Sequence, residues 1–131
     1  MEELFNLGIN ENDINTMIEL NPDIREITSK EINEKTIILN KVGCTDNQIR
    51  NIISSNPLYL SRLNKDIVEL IKYLLEKGFK CINILFDSNP YILNLDSFEI
   101  ENYINKRLQK NEILEDIIDD LDSNPYLFNE I

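Results

Sequence analysis

The amino-acid sequence predicts an all-α protein, an α-solenoid of about 3.5 repeats within a single domain of residues 1–131. All four prolines stand in Asn-Pro pairs separated by 35, 33 and 35 residues: Pro22, Pro57, Pro90 and Pro125. The only three glycines are 35 residues apart, and a leucine stands four residues before each: Gly8, Gly43 and Gly78. A period in the thirties that is carried by helix-breaking residues indicates stacked helical repeats. The handedness of the solenoid, right or left, stays open.

The second repeat shows the local chemistry most clearly. Thr45 and Gln48 have the spacing of a capping box, which predicts the start of a helix. An isoleucine stripe at i, i+3 and i+4 follows, and Pro57 cannot continue the helix because it lacks an N–H. Asn64 is expected to cap a second helix, and Gly78 to end that helix in the left-handed conformation.

The other repeats follow the same order. Residues 1–7 resemble the end of a helix that precedes Gly8. About seven further helices are expected, with no strand and no linker, over residues 12–20, 30–41, 46–55, 66–77, 80–87, 98–110 and 113–122. The fourth repeat has Asn111 where the others have glycine, and asparagine is the next-best residue for a left-handed position.

This pattern resembles the repeat of the mitochondrial transcription termination factor (mTERF) family. The residues that carry the resemblance are Leu39, Gly43, Ile49, Ile52, Ile53, Pro57, Leu60, Ile67, Leu70, Ile71 and Leu74. The resemblance covers nearly the whole chain. It implies triangular helix–3₁₀–helix units that stack into a superhelix, in a family whose members often bind nucleic acid.

Composition points to a cytoplasmic protein without a membrane span. No apolar run approaches the roughly 20 residues that a transmembrane helix needs. The acidic start argues against a secretory or transit signal. Cys44 and Cys81 fit no metal or redox spacing and are expected to be reduced thiols.

The residue types argue against an enzyme, a metal site and a cofactor. The chain has no histidine, and three isolated glycines cannot form a phosphate-binding loop. The carboxylate pairs Glu115/Asp119 and Asp116/Asp120 lie at helical spacing, but such runs are usually solvated faces. We interpret the acidic C-terminal segment, with Asp119, Asp120 and Asp122, as a solubilising cap rather than an acidic ligand site.

Two binding functions remain, binding of a protein and binding of a nucleic acid, and the net charge of the chain favours one of them. Five cations near the ends of second helices are predicted to form one surface, here called the basic strip: Lys77, Lys80, Lys106, Arg107 and Lys110. Lysines at helix C-termini also have an ordinary structural role, because they complement the helix dipole. The net charge of −11 opposes nucleic acid, so a protein partner is the first hypothesis and nucleic acid the alternative. The sequence leaves the oligomeric state open.

Three tyrosines complete the candidate residues. They lie one or two residues after a proline: Tyr59, Tyr91 and Tyr126. We expect them to pack between repeats rather than to stack on nucleic-acid bases.

Overall fold

The computed structural model describes all 131 residues, and every regular element in it is helical. The α-helices are α1 (Glu2–Asn6), α2 (Glu11–Leu20), α3 (Ser29–Lys41), α4 (Asp46–Ser55), α5 (Asn64–Lys77), α6 (Ile82–Ser88), α7 (Ser97–Gln109) and α8 (Leu114–Ser123). Four 3₁₀ helices lie between or after them: Pro22–Glu26, Pro57–Ser61, Pro90–Asn94 and Pro125–Glu130. The seven helices expected after Gly8 are all present, and α1 is the expected helix end before it.

The first three repeats each consist of a helix, a 3₁₀ helix and a second helix, and the fourth consists of α8 and a 3₁₀ helix, so the predicted all-α repeat fold is confirmed. Every 3₁₀ helix begins at the proline of an Asn-Pro pair, where the missing N–H would have no helical partner. Both bonds of the predicted capping box at Thr45 and Gln48 are formed. The prediction for Asn64 is wrong: it is the first residue of α5, and its side chain binds Lys35 and Glu34 instead of capping the helix.

The left-handed positions are where the sequence predicts them. Gly43 has φ +97°, and the N–H of Cys44 donates to the Leu39 carbonyl at 3.1 Å, which closes the C-terminus of α3. Asn111 has φ +66° and is the only residue other than glycine with positive φ. Asparagine therefore replaces glycine at this position, as predicted.

Two compact units make up the chain, residues 1–64 and 65–131, and each contains two Asn-Pro pairs. The core of the N-terminal unit includes Leu4, Met17, Ile32, Leu39 and Ile52, all fully buried. The core of the C-terminal unit includes Leu74, Phe86, Ile100, Ile117 and Leu121, also fully buried. The single domain expected over residues 1–131 stays a prediction.

A buried asparagine connects consecutive repeats within each unit. The side-chain amide of Asn21 donates to the Pro57 carbonyl at 3.0 Å and to the Ser61 hydroxyl at 2.8 Å. Asn89 does the same in the C-terminal unit, with the Pro125 carbonyl and the Asn129 side chain, each at 3.0 Å. The asparagine of the Asn-Pro pair thus binds the 3₁₀ helix of the following repeat.

Candidate functional site

The first cations of the basic strip lie where α5 ends. The Lys77 ammonium is 3.3 Å from a Glu101 carboxylate oxygen and 5.5 Å from the centre of the Tyr73 ring. The Tyr73 hydroxyl donates to the same carboxylate. This hydrogen bond, together with the lysine, holds the pKa of Glu101 below its ordinary value. The charge of Lys77 is therefore already compensated inside the C-terminal unit.

Arg107, in the last turn of α7, is compensated even more fully. Its guanidinium donates to both oxygens of Glu112, at 2.6 to 3.1 Å, and to Asp120 at 2.6 Å. The Glu112 hydrogen bonds and then the Asp120 bond raise the pKa of Arg107, and the same contact lowers the pKa of Glu112. Only 16% of the Arg107 side chain is exposed to solvent. This arginine is a structural element rather than an open phosphate contact.

The repeat pattern explains this cluster of Arg107, Glu112 and Asp120. The three corresponding positions are apolar and buried in the earlier repeats: Leu4, Ile9 and Met17; Leu39, Cys44 and Ile52; Leu74, Phe79 and Leu85. The last repeat thus replaces a buried apolar trio with an ionic one. Asp120 was predicted to be part of a solubilising cap, and in the structure its carboxylate also binds Arg107.

The five cations of the basic strip do not line a common cavity. Lys77 and Lys80 line a cleft of about 300 Å³ against α8. Lys106 lines a different cleft of about 230 Å³, together with Glu99 and Glu130. Lys110 is the exposed residue that follows α7. Nucleic-acid binding by the five residues stays a prediction.

A scan against protein-family models matches the mTERF model over residues 1–96, almost three quarters of the chain. The chain belongs to the mTERF family. The matched segment runs from α1 through the third Asn-Pro pair, and the resemblance predicted from the repeat residues is confirmed. No curated protein gave a significant match.

This mTERF chain exposes two of its three candidate tyrosines, so the prediction that they pack between repeats is wrong for these two. Tyr91 and Tyr126 are 53% and 66% exposed. Tyr59 is buried as expected, and its hydroxyl donates to the Lys35 carbonyl at 2.7 Å. The difference is one residue in register, because Tyr59 is the second residue after its proline and the exposed tyrosines are the first. In a 3₁₀ helix of three residues per turn, neighbouring positions face different sides.

The sequence analysis missed Lys35, a buried lysine in the N-terminal unit of this mTERF chain. It lines a cleft of about 460 Å³ that also contains Asp23, Glu26, Glu31 and Glu34. Its ammonium donates to the Asn64 side chain at 2.6 Å. Burial lowers the pKa of Lys35, while the neighbouring glutamates act in the opposite direction.

The repeat pattern contained the signal for this lysine. Thirteen residues after their prolines, the next two repeats have Leu70, which is buried, and Tyr103, so a cation at this position is unexpected. Arg107 gives the same kind of signal at the conserved leucine position of the pattern. Neither clue identifies the partners of the cation, because those lie in other elements.

We predict that the single substitution Arg107→Leu lowers the melting temperature, because Glu112 and Asp120 then face each other without a cation. Adding Glu112→Phe and Asp120→Leu recreates the apolar trio of the preceding repeat, and should bring the melting temperature back to the original value or above it. Circular dichroism on the single and triple variants measures both effects. A triple variant that melts below Arg107→Leu would contradict this explanation of the cluster.

Three further observations concern the whole chain. No helix has the length and hydrophobicity to cross a membrane. No three side chains of the types that bind metals are grouped for a metal ion. Both cysteines are free thiols, Cys44 buried and Cys81 exposed.

Proposed function

We propose that this mTERF-family chain is a non-catalytic binding module, acting in the cytosol, whose ligand is a protein rather than a nucleic acid. The observation that carries the proposal is that two of the five cations of the basic strip are already paired with carboxylates of the protein itself. Arg107 is bound by Glu112 and Asp120, and Lys77 is bound by Glu101. Cations held in this way cannot exchange their partners for phosphates without leaving carboxylates unpaired.

The net charge of each unit also favours a protein ligand over a nucleic acid. The N-terminal unit has ten carboxylates and six basic side chains, a net charge of −4. The C-terminal unit has fourteen carboxylates and seven basic side chains, a net charge of −7, although it contains the whole basic strip. A negative field opposes the approach of a polyanion and favours a partner with positive charge.

The absence of a catalytic constellation from the clefts supports the non-catalytic part of the proposal. The cleft around Lys35 combines one buried ammonium with four carboxylates, but the ammonium is bound by Asn64. Without histidine, no nucleophile and base are paired in the usual way. Repeat proteins offer extended surfaces for binding, and that is the role proposed for this chain.

Nucleic-acid binding is the second candidate, and membership of the mTERF family is the observation that favours it. In that case the contacts come from the basic strip, with Lys80, Lys106 and Lys110 as its exposed members. The double substitution Lys106→Glu and Arg107→Glu should then abolish binding, and affinity should fall steeply with salt.

Fluorescence anisotropy with labelled duplex DNA, single-stranded DNA and RNA of mixed sequence distinguishes the two candidates. At low salt, we expect the unmodified protein to bind none of them more tightly than about 1 µM, an affinity that ordinary non-specific DNA-binding proteins already reach at physiological salt. Salt-sensitive binding tighter than that, lost in a Lys106→Glu, Lys110→Glu variant that keeps the Arg107 cluster intact, would establish the nucleic-acid function instead. The single substitution Lys30→Glu, at an exposed lysine outside the basic strip, is the control.

A further inference from the structure

The cleft beside Gly78 has the form of a docking site. It measures about 300 Å³ and lies between the end of α5 and one side of α8. Leu114 and Ile118 supply its apolar lining, and a β-carbon built on Gly78 would have no atom within 4 Å. We call this space the Gly78 cleft.

The N-terminal unit shows what fills the corresponding space there. Gly8 occupies the repeat position of Gly78, and Arg50 of α4 occupies that of Ile118 in α8. The Arg50 guanidinium lies only 2.8 Å from where a β-carbon on Gly8 would be. A long side chain of the protein itself therefore covers Gly8, whereas the shorter Ile118 leaves the space beside Gly78 open. The Gly78 cleft is a specific difference between two copies of one repeat pattern.

The charges around the cleft indicate what it accepts. Glu115 and Asp119 are exposed, stand at i and i+4 on α8, and take part in no ion pair. On the opposite side, the charge of Lys77 is compensated by Glu101, which leaves Lys80 as the one cation without an ion-pair partner there. The opening is apolar at its centre and mainly negative along α8.

We propose that the Gly78 cleft binds a cationic amphipathic helix of a protein partner. An apolar side chain of that helix enters the cleft and contacts Leu114 and Ile118. Lysines or arginines one turn away pair with Glu115 and Asp119, whose spacing of one helical turn matches that of a helical ligand. This proposal rests on the proposed function, a protein ligand, and assigns it a site and a chemical class.

Other occupants fit the cleft less well. A second copy of this chain carries the same net charge of −11, so its approach to α8 is repulsive. A nucleic acid would place phosphates against Glu115 and Asp119. A cationic helix satisfies both the apolar lining and the carboxylates.

A synthetic peptide tests the proposal directly. The probe is a labelled helix-forming peptide of about 15 residues, long enough for measurable helicity, with leucine and lysine alternating along one face. Binding is measured by anisotropy near physiological ionic strength, where exposed charges beyond about 8 Å are screened. Control peptides replace either the lysines with glutamate or the leucines with serine, and both are expected not to bind.

Variants then locate the binding site. Glu115→Gln with Asp119→Asn should weaken peptide binding about tenfold, as two exposed ion pairs are lost. The matched control Glu69→Gln with Asp116→Asn removes the same charge from exposed positions of the same unit, and should change affinity less than about twofold. Ile118→Arg should close the cleft as Arg50 closes the one at Gly8, while Arg50→Ile should leave affinity unchanged.

The possible results distinguish failure of the site assignment from failure of the proposed protein-binding function. Equal weakening by both carboxylate pairs, or no binding of the peptide, would overturn the site assignment without affecting the nucleic-acid measurement. Because Ile118 is largely buried, the fold of the Ile118→Arg variant is first checked by circular dichroism. If that variant does not fold, the variant with both surface carboxylates replaced, Glu115→Gln with Asp119→Asn, still tests the site. Amide resonances of Gly78 and Glu115 that shift on peptide addition would support the site independently, and resonances that do not move would contradict it.

Discussion

Asn21→Ala is expected to lower the free energy of unfolding by about 2–3 kcal/mol, although the change removes only one small side chain. Asn21 is 2% exposed and provides two hydrogen bonds to the next repeat. One of them satisfies the carbonyl of Pro57, a buried residue. Alanine cannot replace that donor, so the Pro57 carbonyl keeps only the bond that it accepts within its own 3₁₀ helix, and both inter-repeat hydrogen bonds are lost together with the packing of the buried amide.

The fourth Asn-Pro pair provides the matched control. Asn124 precedes Pro125 as Asn21 precedes Pro22, but its side chain is exposed and forms no hydrogen bond. We expect Asn124→Ala to change the unfolding free energy by less than about 0.5 kcal/mol, as is usual at exposed positions. Urea unfolding followed by circular dichroism measures both variants. Equal effects at Asn21 and Asn124 would show that the asparagine acts through its own turn and not between repeats.

Gly43→Val is expected to cost more than about 1 kcal/mol, because a β-branched residue is penalised at positive φ. Gly43 has φ +97° and follows Val42, the C-cap of α3, where the Cys44 N–H closes the helix. A helix end that must abandon this geometry loses its bond to the Leu39 carbonyl as well.

Gly43→Asn tests the cause of this effect, since Asn111 already adopts φ +66° at the corresponding position. Asparagine should therefore cost clearly less than valine in the same urea experiment. Equal losses for valine and asparagine would indicate a steric conflict of side chains rather than a backbone cost. A change near zero for valine would show that positive φ is not required at this residue.

The fold could be predicted because breaker residues and caps act locally. Pro57 and Gly43 act on their own turns, and Thr45 with Gln48 sets one helix start, so each signal is complete within a few residues. The buried role of Asn21 was not predicted, because its acceptors lie 36 and 40 residues further along the chain. An Asn-Pro pair predicts a turn in either case, whether the side-chain amide of the asparagine points to solvent or into the next repeat.

The candidate site was harder to predict for the same physical reason. The sequence shows where cations occur, but their effective charge depends on partners that only the fold brings near. Lys77 meets Glu101 and Arg107 meets Asp120 across 24 and 13 residues. A cleft also cannot be predicted from the sequence. The Gly78 cleft is open because Ile118 is shorter than Arg50, and this difference is found only by comparing the surroundings of Gly8 and Gly78 in the structure.

The most direct test of the account is a salt titration of nucleic-acid binding by a variant with a neutralised C-terminal segment. Five carboxylates that do not bind Arg107 are replaced by their amides: Glu115, Asp116, Asp119, Asp122 and Glu130. The Arg107 cluster with Glu112 and Asp120 is left unchanged in this variant. The account predicts that DNA and RNA still bind no more tightly than about 1 µM at low salt, without a steep log–log dependence on salt concentration. Tight binding that falls steeply with salt, and disappears when Lys106→Glu and Lys110→Glu are added at exposed positions outside the Arg107 cluster, would contradict it.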